Sequence, residues 1–243
     1  MNKLKTLITG ANYGIGREIT EKFAKEKHDL VLLVRNKSGI KDLKLLEKKH
    51  EIKVKILVGD LRNLNFINKL NKISYVDNVI NNAAMSNAKY FSNVSEKDFD
   101  NLIKVNLRAI FKISQIFSKK MIKNKIKGTI ISLSSQLGHI GAYNRTLYSL
   151  TKFGLEGLTK SMALDLSKHG IRVVTVAPTK TLVKPEELKK RSLRLNLIKK
   201  KIPLKKFSTK SEISSIVYFL TTDPAKSITG TSIIADGGWT AGK

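Results

Sequence analysis

The chain has 243 residues and no cysteine, and its 46 basic and 19 acidic residues give it a formal net charge of +27. This length suits one α/β domain, the absence of cysteine excludes disulfides and thiolate metal sites, and no apolar run of 18 residues is present to span a membrane. Lysine supplies 38 of the basic residues and arginine, the preferred contact to bases and phosphates, only 8. The charge is therefore expected to reflect the codon bias of an A/T-rich genome on a solvated surface, and the alternative is a basic surface that attracts an acidic substrate or carrier protein. We expect no nucleic-acid partner, no metal site, no membrane contact and a cytoplasmic location.

A glycine turn directly follows the first predicted strand, which runs from Leu4 to Thr9. The glycines are spaced G-x-x-x-G-x-G, and a helical pattern with Ile19 and Phe23 on one side comes after them. This is the context of a dinucleotide site, because glycines let the backbone approach a pyrophosphate and a helix N-terminus offers free N–H groups. The candidate cofactor residues of this turn are Gly10, Asn12, Tyr13, Gly14, Ile15 and Gly16.

Strand-like and helix-like segments alternate along the rest of the chain. The alternation predicts an α/β fold with one doubly wound parallel sheet of about seven strands, helices on both faces and a single domain over residues 1–243. Ligands of such sheets bind beyond the carboxyl ends of the strands. Further strands are predicted at 30–34, 54–58, 76–80, 129–133, 171–176 and 232–235, and helices at 41–49, 95–123, 148–168 and from 209.

The end of the second predicted strand bears on the choice of cofactor. An acidic residue there would bind the ribose 2′-hydroxyl of NAD, whereas an arginine accommodates the 2′-phosphate of NADP. Val34 stands at this position and Arg35 follows it. We therefore expect NADP(H) to be preferred over NAD(H). The alternative is that Arg35 is one more basic surface residue.

Tyr148 and Lys152 are four residues apart in a predicted helix, and Ser135 lies thirteen positions upstream of Tyr148. Residues at this spacing share one face of a helix. A nearby ammonium favours the phenolate and lowers a tyrosine pKa, so the pair can transfer a proton, and a serine hydroxyl beside it can bind the same substrate oxygen. The same spacing occurs by chance in many helices, and its meaning depends on the surrounding motifs.

Together these motifs resemble those of the classical short-chain dehydrogenase/reductase family, and the resemblance covers essentially the whole chain. It implies a Rossmann-type fold, an NAD(P)-dependent oxidoreductase, and a homodimer or homotetramer paired through the predicted helices 95–123 and 148–168. The residues that carry it are Thr9-Gly10-x-x-x-Gly14-x-Gly16, Asn81-Asn82-Ala83-Ala84, Asn106, Ser135, Tyr148-x-x-x-Lys152, Ile228-Thr229-Gly230 and Asp236-Gly237-Gly238.

The resemblance also implies roles for individual residues. Tyr148 is expected to be the acid/base, and Lys152 is expected to lower its pKa and hold the nicotinamide ribose. Ser135 is expected to orient the carbonyl group, and Asn106 to hold a water that links Lys152 to solvent. Asp60 should lie near the adenine and Asn81 and Ala83 beside its ribose, and the further expected cofactor residues are Leu61, Asn82, Tyr148 and Lys152.

The chain departs from the family pattern after the sixth predicted strand. Pro178-Thr179 stands where the family has Pro-Gly, and Val183 stands where a threonine is common. The threonine at 179 adds bulk close to the expected nicotinamide. The candidate cofactor residues of this segment are Pro178, Thr179 and Thr181.

The segment at about 184–210 is the predicted substrate lid, and it carries eleven Lys and Arg residues against two Glu. It is either a solvated amphipathic helix or a basic rim that recruits a phosphorylated, carboxylated or carrier-bound substrate. Two residues near the catalytic motif are also ambiguous. His139 could bind a polar substrate but is expected to be a solvated or packing residue, and Arg145 could bind an anionic group.

The function expected from the resemblance is interconversion of a ketone and a secondary alcohol with NADP(H). Reduction of a 3-oxoacyl carrier protein is one candidate, because the carrier is acidic and the rim is basic. A sugar or polyol dehydrogenase is the alternative. The segments that resemble such relatives are Ser134–His139, Pro178-Thr179 and Gly237-Gly238-Trp239. A non-catalytic NADP-binding regulator or scaffold is the alternative of another class, and the intact catalytic motif argues against it.

Overall fold

The computed structural model describes residues 3–181 and 193–242, and one parallel sheet organises them. Its strands are β1 (Lys5–Thr9), β2 (Asp29–Val34), β3 (Val54–Val58), β4 (Asn78–Asn81), β5 (Thr129–Leu133), β6 (Arg172–Pro178) and β7 (Thr231–Ala235). The spatial order is β3-β2-β1-β4-β5-β6-β7. The chain winds outward from β1 to β3 and resumes at β4 on the other side of β1, so a ligand-binding switch point lies between β1 and β4.

Helices cover both faces of this sheet. In the described ranges they are α1 (Gly14–Lys25), α2 (Ile40–His50), α3 (Leu64–Asn68), α4 (Glu96–Ile103), α5 (Ile110–Lys123), α6 (Thr146–Ser167), α7 (Leu193–Lys200) and α8 (Lys210–Phe219). Successive strand residues point to opposite faces. Leu32 accordingly packs in the cluster that contains Phe23 of α1, and Val31 packs in the cluster that contains Phe117 of α5. The predicted fold class is confirmed.

The helix predicted over 95–123 is a composite. It begins at a capping box in which Ser95 and Asp98 satisfy each other's backbone N–H groups, as the sequence pattern suggests. Between α4 and α5 the residues Lys104–Ala109 form a π-helical segment, which local periodicity does not predict. Such segments often occur at functional sites.

Strand β4 begins two residues later than predicted. Val76 is buried and contributes to the apolar run, but at Asp77 the Lys5 N–H donates to the side chain at 2.7 Å, while Asp77 N donates to Lys5 O at 2.8 Å. The regular ladder with β1 therefore begins at Asn78.

The predicted lid lies partly outside the described residues. Its described part contains α7 and the loop that leads to α8, and a bridge between Thr181 and Ser208 ties that loop to the end of β6. Within the described ranges, no helix is long and apolar enough to cross a membrane. The same part of the chain holds no cluster of three or more His, Asp or Glu side chains that could hold a metal ion.

Candidate active site

The glycine turn lies at the carboxyl end of β1, at the switch point of the sheet. Gly10 and Gly14 have φ angles of 66° and 60°, in the left-handed region that favours glycine. A Cβ atom on Gly16 would lie 2.1 Å from Gly10 O and 2.4 Å from Asn82 Nδ2, so the turn has no room for a larger residue. No side chain caps the start of α1, and the N–H groups of its first turn are therefore available to an anion.

A first cavity of about 460 Å³ lies beyond the carboxyl ends of β1, β2 and β3. It collects residues from the glycine turn and from the segments after β2, β3 and β4. The predicted cofactor residues that line it are Gly10, Asn12, Tyr13, Arg35, Asp60, Leu61, Asn82 and Ala83. Gly14 and Gly16 shape the turn and do not line this cavity. Most of the residues expected on the adenine side therefore lie together at one surface, and their contact with a cofactor stays a prediction.

Arg62 also lines the first cavity, and the sequence reasoning missed it. Its Nε and Nη2 donate to Asp60 Oδ1 at 3.1 Å and to Asp60 Oδ2 at 2.7 Å. Chiefly because of these bonds, with a contribution from the charge of Arg35, the pKa of Asp60 lies below its usual range. Two guanidinium groups face one carboxylate, and this excess of positive charge suits a phosphate. The signal available in the sequence was the Asp60-x-Arg62 spacing just after a strand.

A second cavity of about 1140 Å³ shares Asn82 and Ala84 with the first. Ser135, Tyr148 and Lys152 line it together, as the resemblance implies. Because the two cavities share a wall, one elongated ligand can reach from the glycine turn to Tyr148. The predicted cofactor residues that line the second cavity are Ile15, Tyr148, Lys152, Pro178, Thr179 and Thr181.

Burial raises the pKa of Tyr148 above its ordinary value, and a hydrogen bond with Ser135 and the charge of Arg145 lower it only in part. The pKa of Tyr148 is therefore raised overall in the structure, and the expectation that Lys152 lowers it stays a prediction. Lys152 Nζ donates instead to Leu133 O at 2.7 Å and lies 5.5 Å from the centroid of the Tyr148 ring. Near neutral pH, Tyr148 is a protonated phenol, which is the form that can donate a proton.

Lys152 is only 1% exposed. Burial lowers its pKa to about 8, and the charge of Glu156 opposes this shift. A buried ammonium disfavours its charged form because it has lost hydration. The pKa of Lys152 therefore lies close to the pH range in which enzymes work, and the groups around the ammonium determine its value.

Asn106 lies in the π-helical segment and is fully buried. Its Oδ1 accepts from Met85 N at 2.8 Å, and its Nδ2 donates to Met85 O at 2.8 Å and to Thr151 Oγ1 at 3.1 Å. Both ends of the amide thus hold the loop after β4 against α6. The side chain reaches the residue next to Lys152 and makes no direct bond to Lys152 itself.

Thr179, which departs from the family pattern, is buried at the end of β6. Its N–H donates to Ala235 O at 3.2 Å, and its carbonyl accepts from Thr181 Oγ1 at 3.3 Å. Its own Oγ1 has no hydrogen-bond partner among the described residues. Leaving a buried hydroxyl unpaired costs about 1–3 kcal/mol. Thr179 lies on the wall of the second cavity, where a ligand group is one available partner for this hydroxyl. Val183 lies outside the described residues.

The two ambiguous residues have different positions. His139 does not line either cavity, and its Nε2 lies 3.1 Å from Ser232 Oγ and 3.4 Å from Glu156 Oε1. Arg145 lines the second cavity, and its Nη1 donates to Ser86 Oγ at 2.9 Å and to Asn87 O at 2.7 Å. Arg145 thus both anchors the loop after β4 and places a positive charge near Tyr148.

Comparisons with known proteins cover the whole of this site. A family model described as enoyl-(acyl carrier protein) reductase matches residues 10–240. A 3-oxoacyl-[acyl-carrier-protein] reductase of Buchnera aphidicola is 36% identical over 239 residues, which cover 96% of this chain and 95% of that protein.

Two solved structures show the same overall arrangement. A 4-hydroxyisoleucine dehydrogenase complexed with NADH is 32% identical, with a TM-score of 0.90 and full coverage of both chains. A putative NAD(P)-dependent gluconate 5-dehydrogenase from Beutenbergia cavernae, with bound NADP, is 26% identical with a TM-score of 0.90, and the match covers 98% of this chain and 97% of that one.

Proposed function

The chain belongs to the classical short-chain dehydrogenase/reductase family and is an oxidoreductase that acts on CH–OH and C=O groups, and from this premise we propose that it reduces a 3-oxoacyl thioester, carried by an acidic carrier protein, with NADPH. The observation that carries the proposal is the 36% identity to a reductase of that activity over 95% of its length. The formal net charge of +27 supports an acidic partner.

Four residues of the second cavity and its surroundings have proposed roles in this reduction. When bound, the nicotinamide cofactor supplies the hydride. Tyr148 donates its phenolic proton to the carbonyl oxygen, and Ser135 holds the same oxygen by a hydrogen bond. The Lys152 ammonium favours the phenolate that this transfer leaves behind. The water contact of Asn106 stays a prediction, and in the structure its side-chain amide holds Met85 and Thr151.

The second cavity is suited to an acyl chain with a polar end. Its mouth carries the exposed aromatic residues Tyr90, Phe91 and Tyr143, and its wall includes Ile140. Apolar side chains favour the acyl chain through burial of its surface. Lys201, from the described part of the lid, also lines the cavity and places a positive charge where a phosphorylated carrier arm would enter.

A sugar-acid dehydrogenase is the second candidate, supported by the likeness to the gluconate 5-dehydrogenase structure and by the position of Arg145 on the cavity wall. A substrate panel separates the two candidates. We expect NADPH oxidation with an acetoacetyl thioester and none with a crotonyl thioester, which has a C=C bond and no 3-oxo group. Turnover of gluconate with NADP and no turnover of the acetoacetyl thioester would replace the first candidate by the second.

NADPH rather than NADH is the proposed cofactor because of the positive charge at the end of β2. Replacing Arg35 by Ala is expected to raise KM for NADPH by about 10- to 100-fold, since a hydrogen bond to a charged group contributes about 1.5–3 kcal/mol. KM for NADH should change little. Lys37→Ala is the matched control, because Lys37 is a neighbouring cation that does not line the cavity. An equal rise of KM for NADPH and for NADH would show that Arg35 does not bind the 2′-phosphate.

We also propose that the protein is a homodimer or homotetramer paired through α4, α5 and α6. Large apolar side chains are exposed on these helices at Phe99, Phe111, Phe153 and Leu164, and packing against a second copy of the chain would remove this apolar surface from water. Sedimentation at micromolar concentration measures the assembly. The single domain and the cytoplasmic location stay predictions.

A further inference from the structure

Glu156 is a buried acidic residue directly behind the catalytic residues. It is only 9% exposed and follows Lys152 by one turn of α6, on the same helix face. Its Oε2 accepts a hydrogen bond from Thr175 Oγ1 of β6 at 2.7 Å, and its Oε1 accepts from Ser232 Oγ of β7 at 3.4 Å. A carboxylate is buried only when donors and charges compensate its lost hydration. Here hydroxyl groups from the two strands β6 and β7 donate to the Glu156 carboxylate.

The turn that carries Ser135 packs on the same part of α6. A Cβ atom on Gly138 would lie 3.3 Å from Glu156 Cγ and 3.2 Å from Lys152 O, so glycine permits the close approach. Just beyond this turn, His139 Nε2 lies 3.4 Å from Glu156 Oε1. Glu156 therefore joins the Ser135 turn, the strands β6 and β7, and the helix that carries Tyr148 and Lys152.

Few charged groups face Lys152 in the described part of the chain. On its own helix these are Tyr148 and Glu156. From the neighbouring elements, the backbone carbonyl of Leu133 accepts from Lys152, while the Thr175 hydroxyl and the His139 imidazole contact Glu156. Burial lowers the pKa of Lys152 to about 8, and Glu156 is the charged side chain that opposes this shift.

We propose that Glu156 is a positioning residue of the reductase site, which keeps the buried Lys152 side chain in its ammonium form and so sets the upper pH limit of turnover. The proposal rests on the proposed function, in which the ammonium supports Tyr148. Thr175 and Ser232 both donate hydrogen bonds to the carboxylate, and Lys152 donates to Leu133 O.

The test is the pH profile of kcat/KM for NADPH-dependent ketone reduction in Glu156→Gln. The amide keeps the shape and still accepts from Thr175, but it removes the charge. We expect the alkaline limb to move down by about one pH unit, because the variant removes the charge that opposes the lowered pKa of Lys152, while activity on the acid plateau largely remains. Glu156→Asp, which keeps the charge, should return the limb towards its original position.

Thr175→Val is the matched control, because it removes the shortest hydrogen bond to Glu156 and keeps the carboxylate. It is expected to lower stability and leave the limb where it is. An unmoved limb in Glu156→Gln, with activity lowered equally at every pH, would mean that Glu156 only supports the fold. If the Gln variant does not fold, Glu156→Met provides a second side chain of similar size without charge. The alkaline limb of this variant should move down by the same amount.

Binding of NADPH separates this proposal from the proposed function. As the pH rises, the Kd for NADPH, measured by fluorescence, should begin to increase at a lower pH in Glu156→Gln than in the unaltered protein. This comparison does not require that any ketone in the panel is reduced. Failure of turnover in the unaltered protein alone would overturn the substrate assignment. Identical pH dependence of Kd in the two proteins would overturn the role of Glu156.

Discussion

Replacing Tyr148 by Phe is expected to lower kcat for reduction of an acetoacetyl thioester by about 10²- to 10⁴-fold, which is the usual contribution of a positioned acid or base. Burial keeps Tyr148 protonated, and its hydroxyl group lies at Ser135 on the wall of the second cavity. Removing only that hydroxyl leaves the ring in place. NADPH should therefore bind with nearly unchanged Kd, as fluorescence titration can measure.

Tyr143→Phe is the matched control for this variant. Tyr143 lines the same cavity but is 96% exposed, and Leu147 stands where a lysine partner would be. We expect its kcat to remain close to that of the unaltered protein. Full activity in Tyr148→Phe, or an equal loss in Tyr143→Phe, would show that the acid has been assigned to the wrong residue.

Replacing Gly16 by Ala is expected to abolish NADPH binding. The added Cβ atom would lie 2.1 Å from Gly10 O, a backbone atom of the glycine turn that cannot move without displacing the turn itself. Overpacking of this kind costs about 1–3 kcal/mol, so Tm should fall as well. NADPH titration and thermal unfolding of the same sample measure both effects.

Gly157→Ala is the control for the glycine variant. Gly157 lies inside α6, and a Cβ there would meet no atom within 4 Å. This change should raise stability by about 0.5–1 kcal/mol, because alanine favours the helix over the unfolded chain. If Gly16→Ala bound NADPH as tightly as Gly157→Ala does, the glycine turn would not be the cofactor site.

Local signals predicted most of the framework of the site. The glycine turn after β1, the start of a helix at Ser95 and the spacing from Tyr148 to Lys152 depend on neighbouring residues, and all three appear in the structure as elements in the expected places. Because the carboxyl ends of parallel strands meet at one edge of the sheet, these local signals also predict which residues lie together.

The sequence did not predict features that depend on burial and on contacts between distant strands. The pKa of Tyr148 was expected to fall and instead rises, because the depth of burial is a property of the folded chain. The network of Glu156 was missed for a similar reason. Its partners Thr175 and Ser232 lie on β6 and β7, far away in sequence, and a glutamate on a helix shows no local sign of being buried.

Transfer of deuterium from NADPH to the substrate tests the central claim most directly. The protein is incubated with NADPH that carries deuterium at the transferable position of C4 and with an acetoacetyl thioester, and the product is analysed by mass spectrometry. We expect a 3-hydroxybutyryl thioester with the deuterium bound to C3, at the former carbonyl carbon. The absence of any labelled alcohol product, with NADPH bound at the same protein concentration, would contradict the assignment of this chain as a ketoreductase of acyl thioesters.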